Sequence, residues 1–545
     1  MSFAKYIVAL GCAALLGACS ATVSSDDDED ASSELSSSSK RKSSSSTSDK
    51  KSSSSNSSDK KSSAEEKDSV NSSSSKEDGK SSNSTEELDE DCIGESGKPW
   101  DGTTAKTFAC GAGTKLSPYI ILTAEQLAKL AFVIGANDEN YQGKYYKLGA
   151  DIILNKGEII DNKGALVADS TKLHKWTPIG NSNICFTGIF DGDNHIISGM
   201  FINTTSTHNG LFGNSNGTIQ NIVVKNSWAN GGNATAGVLG NLKGSGILKE
   251  ATNKASIIGT GNITGGVVGN YESECCNKVG TIEYTENHGF VTGAKTVGGI
   301  IGNATNIKIT NAKNFNEITG ISGTGGIAGS LGSNSILISA ENTGKISGKE
   351  QTAGIVGYMG HWLSCSTNKK QAILKGAQNK GSIEGQKYTA GIIGKSECTA
   401  NTKIANESPI IGTSYTAGLI GSADNSSIES AYNVGDIFGD TYVGGIIGYN
   451  EVGVSQSIYS TGKVDGDSLV GLMIGYNYNT TMADYYYLKQ GEQEPFGLNN
   501  GGGVTTPNTV KEMNSEDFAE LLSEDFDYDS DVNDGFRILK REMEE

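Results

Sequence analysis

Hydrophobic residues in the middle of the chain occur in short runs of three to five, many of them β-branched, separated by Gly and Asn. Runs of this length bounded by turn residues are typical of strands and do not follow a helical period. A signature of Gly, two apolar residues and Gly occurs nine times within this pattern. The copies are Gly210–Gly213, Gly237–Gly240, Gly266–Gly269, Gly299–Gly302, Gly326–Gly329, Gly354–Gly357, Gly391–Gly394, Gly418–Gly421 and Gly445–Gly448.

The spacing of these signatures predicts the fold. A tenth copy, with Leu472 in place of the first Gly, ends at Gly475, and five of the nine intervals between closing glycines are 27 residues. Self-similarity at a fixed period of this length indicates a solenoid. About three strands fit into 27 residues, so we predict an all-β parallel β-helix with one coil per repeat and about 4.8 Å between coils. A propeller is the alternative, although its blades need roughly 40–50 residues.

A second periodic position holds asparagine. An Asn side chain at a corner can bond both the backbone and the next Asn, so we expect a buried ladder. We also expect the apolar pair of each signature to lie on a strand, with its glycines at corners whose backbone angles other residues avoid. The asparagines are Asn253, Asn287, Asn314, Asn342, Asn379, Asn406 and Asn433.

Both ends of the repeat carry helix signals. Thr123-Ala-Glu-Gln126 fits a capping box ahead of apolar residues at helical spacing, so we predict a capping helix at about 124–135. Thr509-Val-Lys-Glu512 is a second match, and Phe518, Leu521 and Leu522 should lay an apolar face on the last coil. These signals divide the body into an N-terminal cap with the first coils (92–205), the repeat solenoid (206–487) and a C-terminal cap (488–545).

The first residues have the character of a targeting segment. An apolar run at 6–16 follows Lys5 and is too short to span a bilayer. The sequence Leu16-Gly17-Ala18-Cys19 resembles the lipobox of bacterial lipoproteins. This resemblance implies a signal peptide at 1–18 and a lipid on Cys19, which would attach the protein to a membrane. An ordinary secretory signal is the alternative.

A polar linker separates Cys19 from the repeat. Thirty of the 72 residues at 20–91 are Ser, and few are apolar. Such a segment cannot bury enough apolar surface to offset its ordering entropy, so we expect a disordered tether at 19–91. The acidic run at 26–30 resembles signals that send some lipoproteins to the outer face of the outer membrane.

Charge excludes one class of partner. The net charge of −19 comes from the linker at 20–91 (−8), the end at 511–545 (−9) and Lys5 (+1), which leaves −3 for residues 92–510. Sequence-independent nucleic-acid binding needs a basic face, which this nearly neutral body lacks. No Arg occurs between Arg41 and Arg537.

Many parallel β-helices act on polysaccharides, so an enzyme has to be considered. A pectate-lyase-like reaction generally uses an Arg base, and the repeat contains none. A glycosidase needs converging carboxylates. The best candidates are Asp440 and Asp467, one period apart, with Asp436 and Asp465 nearby. All four lie in Gly-rich corners, where solvated turns are the favoured interpretation, and we expect no enzyme.

The remaining polar residues indicate no metal or cofactor. The five His lack zinc-site spacing, and the loop Asp191-Gly-Asp193-Asn194 lacks the acidic residue that completes a calcium loop. Two pairs of cysteines could form disulfides in an oxidising compartment. The pairs are Cys92 with Cys110 and Cys365 with Cys398, while the adjacent Cys275 and Cys276 have no assigned partner.

Tyrosines give the one indication of a ligand. The residue after the closing Gly is Asn in the first four signatures but Tyr at Tyr358, Tyr449 and Tyr476. Exposed aromatic rows can stack on sugar faces, so these three are the candidate ligand-stacking residues. Packing against loops or the C-terminal cap is the alternative. Further rings occur at Tyr271, Trp362, Tyr478 and Tyr485 to Tyr487.

The signatures also carry a family resemblance. Gly-Leu-Phe-Gly at 210–213, Gly217-Thr-Ile-Gln-Asn-Ile at 217–222 and the later Ala-Gly-Ile-Ile-Gly and Gly-Gly-Ile-Ile-Gly copies resemble GLUG-motif repeat proteins. The resemblance implies an adhesin-like protein of the bacterial surface. We therefore expect a lipid-anchored outer-membrane protein, exposed at the surface, that binds polysaccharide or another cell-surface component without catalysis. A polysaccharide-active β-helix enzyme and a purely architectural coat or spacer are the alternatives.

Overall fold

The computed structural model describes residues 92–273, 278–361, 365, 371–478, 480–528 and 533–540. The signal peptide, Cys19, the linker, the Cys275–Cys276 pair and Trp362 lie outside the described residues, and their predictions stay predictions. All features below belong to the described part of the chain.

The described residues form a parallel β-solenoid of about 13 coils, which confirms the predicted fold class. Strands from successive coils pair in parallel, so that Asn287 lies beside Asn314 and Asn314 beside Asn342. Each full coil contributes four strands, one more than predicted. Two of these four belong to one 24-stranded sheet, which we call the first sheet. The others belong to an eight-stranded second sheet and an eleven-stranded third sheet.

The first sheet has a row of longer strands and a row of shorter ones. The longer strands are Tyr119–Ile121, Tyr145–Leu148, Ile189–Asp191, Thr218–Gly231, Ile247–Gly259, Gly280–Asn287, Ile307–Asn314, Ile336–Asn342, Ala372–Asn379, Thr399–Asn406, Ser427–Asn433, Val454–Ser460, Thr481–Leu488 and Thr505–Asn508. The shorter strands are Ile152–Ile153, Ile196–Ser198, Phe201–Asn203, Val291–Thr292, Ile318–Thr319, Ile346–Ser347, Ile383–Glu384, Ile410–Ile411, Ile437–Phe438 and Val464–Asp465.

The other two sheets complete each coil. The second sheet contains Ile263–Gly265, Thr296–Gly298, Ser322–Gly325, Glu350–Ala353, Lys387–Ala390, Ser414–Ala417, Thr441–Gly444 and Ser468–Gly471. The third sheet contains Phe212–Ser215, Leu239–Lys243, Val268–Glu272, Ile301–Ala304, Ala328–Leu331, Val356–Gly360, Ile393–Glu397, Ile420–Asp424, Ile447–Val452, Ile474–Asn477 and Phe496–Asn499.

The glycine signature forms the corner between the second and third sheets. In one coil the second-sheet strand ends at Gly298, the chain bends at Gly299 and Ile300, and the third-sheet strand begins at Ile301. Both isoleucines are fully buried, as expected of stacked core residues. The prediction that the apolar pair lies on one strand was wrong, because Ile300 lies in the bend and Ile301 begins the strand.

The reason for glycine at this corner also differs from the prediction. The signature glycines are not among the residues with positive φ. A Cβ at Gly326 would instead overlap the carbonyl oxygen of Gly354 on the next coil and lie 2.6 Å from Asn342 Oδ1. Close approach of neighbouring coils, and not a left-handed backbone, therefore requires glycine here.

The predicted asparagine ladder is present and buried. Asn342 Nδ2 donates to Gly344 O (2.9 Å) and to Asn379 Oδ1 (2.8 Å), while Asn342 Oδ1 accepts from Asn314 Nδ2 (2.8 Å). Each asparagine thus satisfies a corner carbonyl and joins two coils. The same side-chain contact repeats from Asn253 to Asn433.

We expect Asn342→Ala to lower the free energy of unfolding by about 3 kcal/mol, because it leaves buried partners without hydrogen bonds. Urea denaturation followed by circular dichroism measures this change. The matched control is Asn303→Ala, since half-buried Asn303 donates only to Asn270 Oδ1 (3.0 Å), and we expect a loss below about 1 kcal/mol. Equal losses in the two variants would contradict the role of the buried ladder.

The N-terminal cap follows the sequence prediction. The helix spans Ala124–Gly135, and Thr123 and Gln126 form its capping box. Leu127, Leu130, Ala131 and Ile134 are buried against the solenoid core. Apolar spacing and the capping residues were sufficient to place this helix.

The C-terminal segment lies elsewhere than predicted. Short helices at Val510–Met513 and Glu516–Leu521 are followed by the 3₁₀ turn Asn533–Gly535 and an antiparallel pair, Phe526–Asp527 with Ile538–Leu539. Phe518 packs on Tyr459 and Tyr486, in a cluster that extends back to Tyr432 and Ala405. The segment therefore covers the flank of several coils and not only the last one, and Leu521 is exposed.

Candidate functional site

The three predicted tyrosines share one register position of the third sheet. In successive coils this position holds Tyr358, Lys395, Ser422, Tyr449 and Tyr476. The rings of Tyr449 and Tyr476 are 5.3 Å apart between centroids. Tyr358 is separated from them by two coils, and its hydroxyl donates to Glu397 Oε2 (2.6 Å). The structure thus brings together two of the three.

A second column of tyrosines completes the site and was missed from the sequence. Tyr388, Tyr415 and Tyr442 occupy one position of the second sheet in three successive coils. Their ring centroids are 4.8 Å and 4.6 Å apart, and the Tyr415 and Tyr442 rings are parallel within 2°. The signal was available, because these residues are 27 apart and each precedes a glycine signature by the same number of residues.

The two columns form one surface, which we call the tyrosine surface (Tyr388, Tyr415, Tyr442, Tyr449 and Tyr476). Tyr449 meets Tyr415 and Tyr442 edge to face at 6.0 Å and 6.1 Å, and Tyr476 meets Tyr442 at 6.3 Å. Offset and edge-to-face contacts of this kind stabilise an aromatic cluster. All five rings are half-buried, so part of each is open to solvent.

Burial affects the chemistry of the phenol groups. Burial raises the pKa of Tyr415, with further contributions from Tyr388 and Tyr442. Burial also raises the pKa of Tyr449, and the nearby carboxylate of Glu451 is the next largest cause of this increase. Both phenols therefore stay protonated at neutral pH, and their hydroxyls can donate and accept hydrogen bonds.

The second-sheet tyrosines adopt a costly backbone conformation. Tyr388, Tyr415 and Tyr442 have φ of 56°, 55° and 55°. Two coils before Tyr388, Gly323 holds the same position with φ 55°. A bulky residue in the left-handed region costs on the order of 1–3 kcal/mol. Gln351 and Leu469 hold this position in the coils on either side, with φ of 52° and 53°. The left-handed turn therefore recurs from coil to coil, and the three tyrosines are distinguished by their stacked rings.

The coils nearer the N-terminus carry a different ladder at the third-sheet position. Asn270 Nδ2 donates to Asn241 Oδ1 (3.0 Å), and Asn303 Nδ2 donates to Asn270 Oδ1 (3.0 Å). These asparagines satisfy one another along the solenoid. The exposed aromatic surface is consequently a property of the C-terminal coils.

Lysines mark one end of the tyrosine surface. Lys387 Nζ lies 4.8 Å from the Tyr388 ring centroid and 5.9 Å from that of Tyr415, within cation–π range. Lys395 Nζ lies 5.8 Å from the Tyr388 centroid and pairs with Glu397 Oε1 at 2.6 Å. Both ammonium groups are therefore held at the Tyr388 end.

Among the other predicted aromatic residues that the structure describes, Tyr478 borders the tyrosine surface and the rest are buried elsewhere. Tyr271 is buried, and its hydroxyl donates to Gly244 O (2.8 Å). Tyr485, Tyr486 and Tyr487 are buried as well. Tyr478 is exposed, with its ring centroid 6.5 Å from that of Tyr476.

The candidate carboxylates are exposed, three of them in turns and Asp465 at the end of a short strand. Asp467 N donates to Asp440 O (2.9 Å), which places the two residues on neighbouring coils as predicted. Asp436 Oδ1 accepts from Lys463 N (2.9 Å), and Asp465 pairs with Lys463 Nζ (3.0 Å). All four carboxylates are exposed.

Nothing in the described parts of the chain forms a metal site, since no three His, Cys, Asp or Glu side chains come together there. In the loop at Asp191, the carboxylate oxygens are used in hydrogen bonds within the protein. Asp191 Oδ1 accepts from Asp193 N (2.9 Å) and Asn221 Nδ2 (2.9 Å), and Oδ2 accepts from Gln220 Nε2 (2.9 Å). The carboxylate closes a turn between two coils.

Both candidate cysteine pairs are disulfide-bonded in the structure. Cys92 and Cys110 join the start of the body to the N-terminal cap, with Cα atoms 4.9 Å apart. Cys365 and Cys398 join neighbouring coils, with Cα atoms 5.6 Å apart. Cys398 directly follows Glu397, so the Cys365–Cys398 disulfide lies near Lys395, at the Tyr388 end of the tyrosine surface.

Comparison with known proteins yields limited similarity. No family model matches the chain. It is 30% identical over 165 residues to halomucin of Haloquadratum walsbyi, and 33% identical over 121 residues to a "Putative Gly-rich membrane protein" of Evansella cellulosilytica. The matched parts make up 29% and 22% of this chain, but only 2% and 12% of the relatives' lengths.

The match to a solved structure is weak. A "putative immunoglobulin A1 protease" from Bacteroides ovatus matches with a TM-score of 0.34 and 15% identity, over 79% of this chain and 95% of the other.

Within the described residues, no helix combines the length and apolar character needed to cross a membrane.

Proposed function

We propose that this chain is a lipid-anchored surface protein that binds polysaccharide, without catalysis, through the tyrosine surface. The observation that carries the proposal is the set of five half-buried rings that pack together on four successive coils. Rings held this way offer apolar area and hydroxyl groups together, which suits the faces and hydroxyls of sugars.

Features of the sequence support the proposed location. The lipobox resemblance at Cys19, the Ser-rich linker and the GLUG-like signatures support an anchored protein held away from the membrane. One relative is named a membrane protein, which agrees with a location at the cell surface. We also propose that the protein is attached to the outer membrane and faces the outside of the cell.

Pull-down on insoluble polysaccharide tests the binding. We expect full-length protein to be retained and Tyr415→Ala together with Tyr442→Ala to weaken binding at least about tenfold, since each ring removed takes both apolar area and a hydroxyl. The matched control is Tyr284→Ala, because Tyr284 is also exposed and left-handed (φ 52°) but lies on the first sheet. Equal retention of the double variant would contradict the proposal.

The same experiment separates a binder from an enzyme. A binder releases no reducing ends from the polysaccharide. Release that disappears in Asp440→Asn or Asp467→Asn would contradict the non-enzymatic role and support a hydrolase at these carboxylates.

A further inference from the structure

Carboxylates flank the tyrosine surface on both sheets. Asp440 lies in the bend just before the second-sheet strand of Tyr442, and Asp467 holds the same position one coil further on. On the third sheet, Asp424 and Glu451 each follow the tyrosine-bearing register position by two residues. Asp440 and Asp467 are exposed, and Asp424 and Glu451 are half-exposed.

Register and sequence spacing place these acids beside the tyrosine positions. Alternate strand residues face the same side, so Asp424 shares the outer side with Ser422. After burial, the Glu451 carboxylate is the next cause of the raised pKa of Tyr449. A ligand lying on the rings would therefore meet negative charge along both edges.

Positive charge is confined to one end. The lysine–ring contacts that the structure shows here involve only Tyr388 and Tyr415. Lys395 is neutralised by Glu397. The charged residues two positions from Tyr442 and from Tyr449 are both acidic, namely Asp440 and Glu451. Asp467 and Asp424 lie one 27-residue period away from them.

The shape of the surface sets the form of the ligand. Tyr388 and Tyr476 are three coil steps apart, about 14 Å along the solenoid axis at the strand spacing. The two columns run parallel to this axis. A linear chain lying along the axis would contact all five rings.

We infer that the ligand is an uncharged linear glycan lying along the solenoid axis, and that Asp424, Glu451, Asp440 and Asp467 exclude anionic polysaccharides. This inference rests on the proposed function. Sugar hydroxyls donate to carboxylates in charge-assisted hydrogen bonds. A uronic acid or sulfated chain in the same position would place like charges side by side, which disfavours binding.

The test compares a soluble neutral β-glucan with a polyuronate, using affinity electrophoresis of the full-length protein. We expect the polyuronate to bind at least about tenfold more weakly. Replacement of all four acids (Asp424→Asn, Glu451→Gln, Asp440→Asn and Asp467→Asn) should bring the polyuronate within about threefold of the glucan, because the amides keep their acceptors but lose the charge.

The matched control changes four other exposed acids: Asp436→Asn, Asp465→Asn, Glu384→Gln and Glu429→Gln. These four changes alter the net charge by the same amount as the test variant, but on or next to strands of the first sheet. They should leave the preference for glucan over polyuronate unchanged. The salt dependence of binding is a second measurement. Raising the NaCl concentration should strengthen polyuronate binding to the wild type, because salt screens the repulsion between like charges, and should leave glucan binding unaltered.

The outcomes separate the two proposals. Equal binding of both polymers, preference for the polyuronate, or no gain in the fourfold variant would overturn the inference while glycan binding stands. Binding of neither polymer would overturn both.

Discussion

Replacement of Gly326 by Val is expected to lower the free energy of unfolding by about 3 kcal/mol or more. The added Cβ would overlap Gly354 O and approach Asn342 Oδ1, both fixed parts of the neighbouring coil. Neither can move without opening the coil stack or the asparagine ladder. Thermal and urea denaturation followed by circular dichroism measure the loss.

The matched control is Gly376→Asn. Gly376 has φ 67°, and a Cβ there would have no neighbour closer than 3.7 Å. The same position holds Ser339 and Lys403 in adjacent coils, with φ of 56° and 53°. Asn tolerates this conformation, so stability should change by less than about 0.5 kcal/mol. A Gly326→Val protein as stable as the wild type would show that the corner does not require close approach.

Replacement of Cys19 by Ser is expected to move the protein from the membrane fraction to the soluble fraction. The reason is that the lipobox resemblance makes Cys19 the proposed lipid carrier, and residues 92–510 have a net charge of −3, which does not attract anionic lipid. Cell fractionation and immunoblotting measure the shift. Protease added to intact cells should cut the linker at 20–91 and release the solenoid.

The matched control is Cys12→Ser, since Cys12 lies inside the predicted signal peptide and would not carry lipid. It should leave membrane attachment unchanged. Membrane retention of the Cys19→Ser protein would show that the anchor is elsewhere. Resistance of wild-type protein to protease on intact cells would leave the anchor in place but put the body in the periplasm.

The solenoid could be predicted from sequence because its regularity is local and repeated. A 27-residue period and an asparagine at a fixed place in each repeat imply stacked coils, since each side chain then meets its own counterpart. The role of the glycine signature could not be predicted as well. Contact between Gly326 and Gly354 depends on the distance between coils, which a single repeat does not encode.

The site was predicted only in part for a related reason. Tyr449 and Tyr476 stand out because they follow the closing glycine, but Tyr388, Tyr415 and Tyr442 belong to another sheet. The corner at the signature brings the two columns together, and its geometry follows from packing in three dimensions. The flank position of Phe518 was missed likewise, because an apolar helical face does not reveal which surface it covers.

Hydroxyl-radical footprinting tests the central claim most directly. The extent of ring oxidation is measured by mass spectrometry on the full-length protein, with and without a saturating glycan that it retains. The account predicts protection of the tyrosine surface (Tyr388, Tyr415, Tyr442, Tyr449 and Tyr476), with no change at the exposed rings of Tyr284 and Tyr528. Bound glycan that leaves those five rings as reactive as before, or that protects Tyr284 instead, would contradict it.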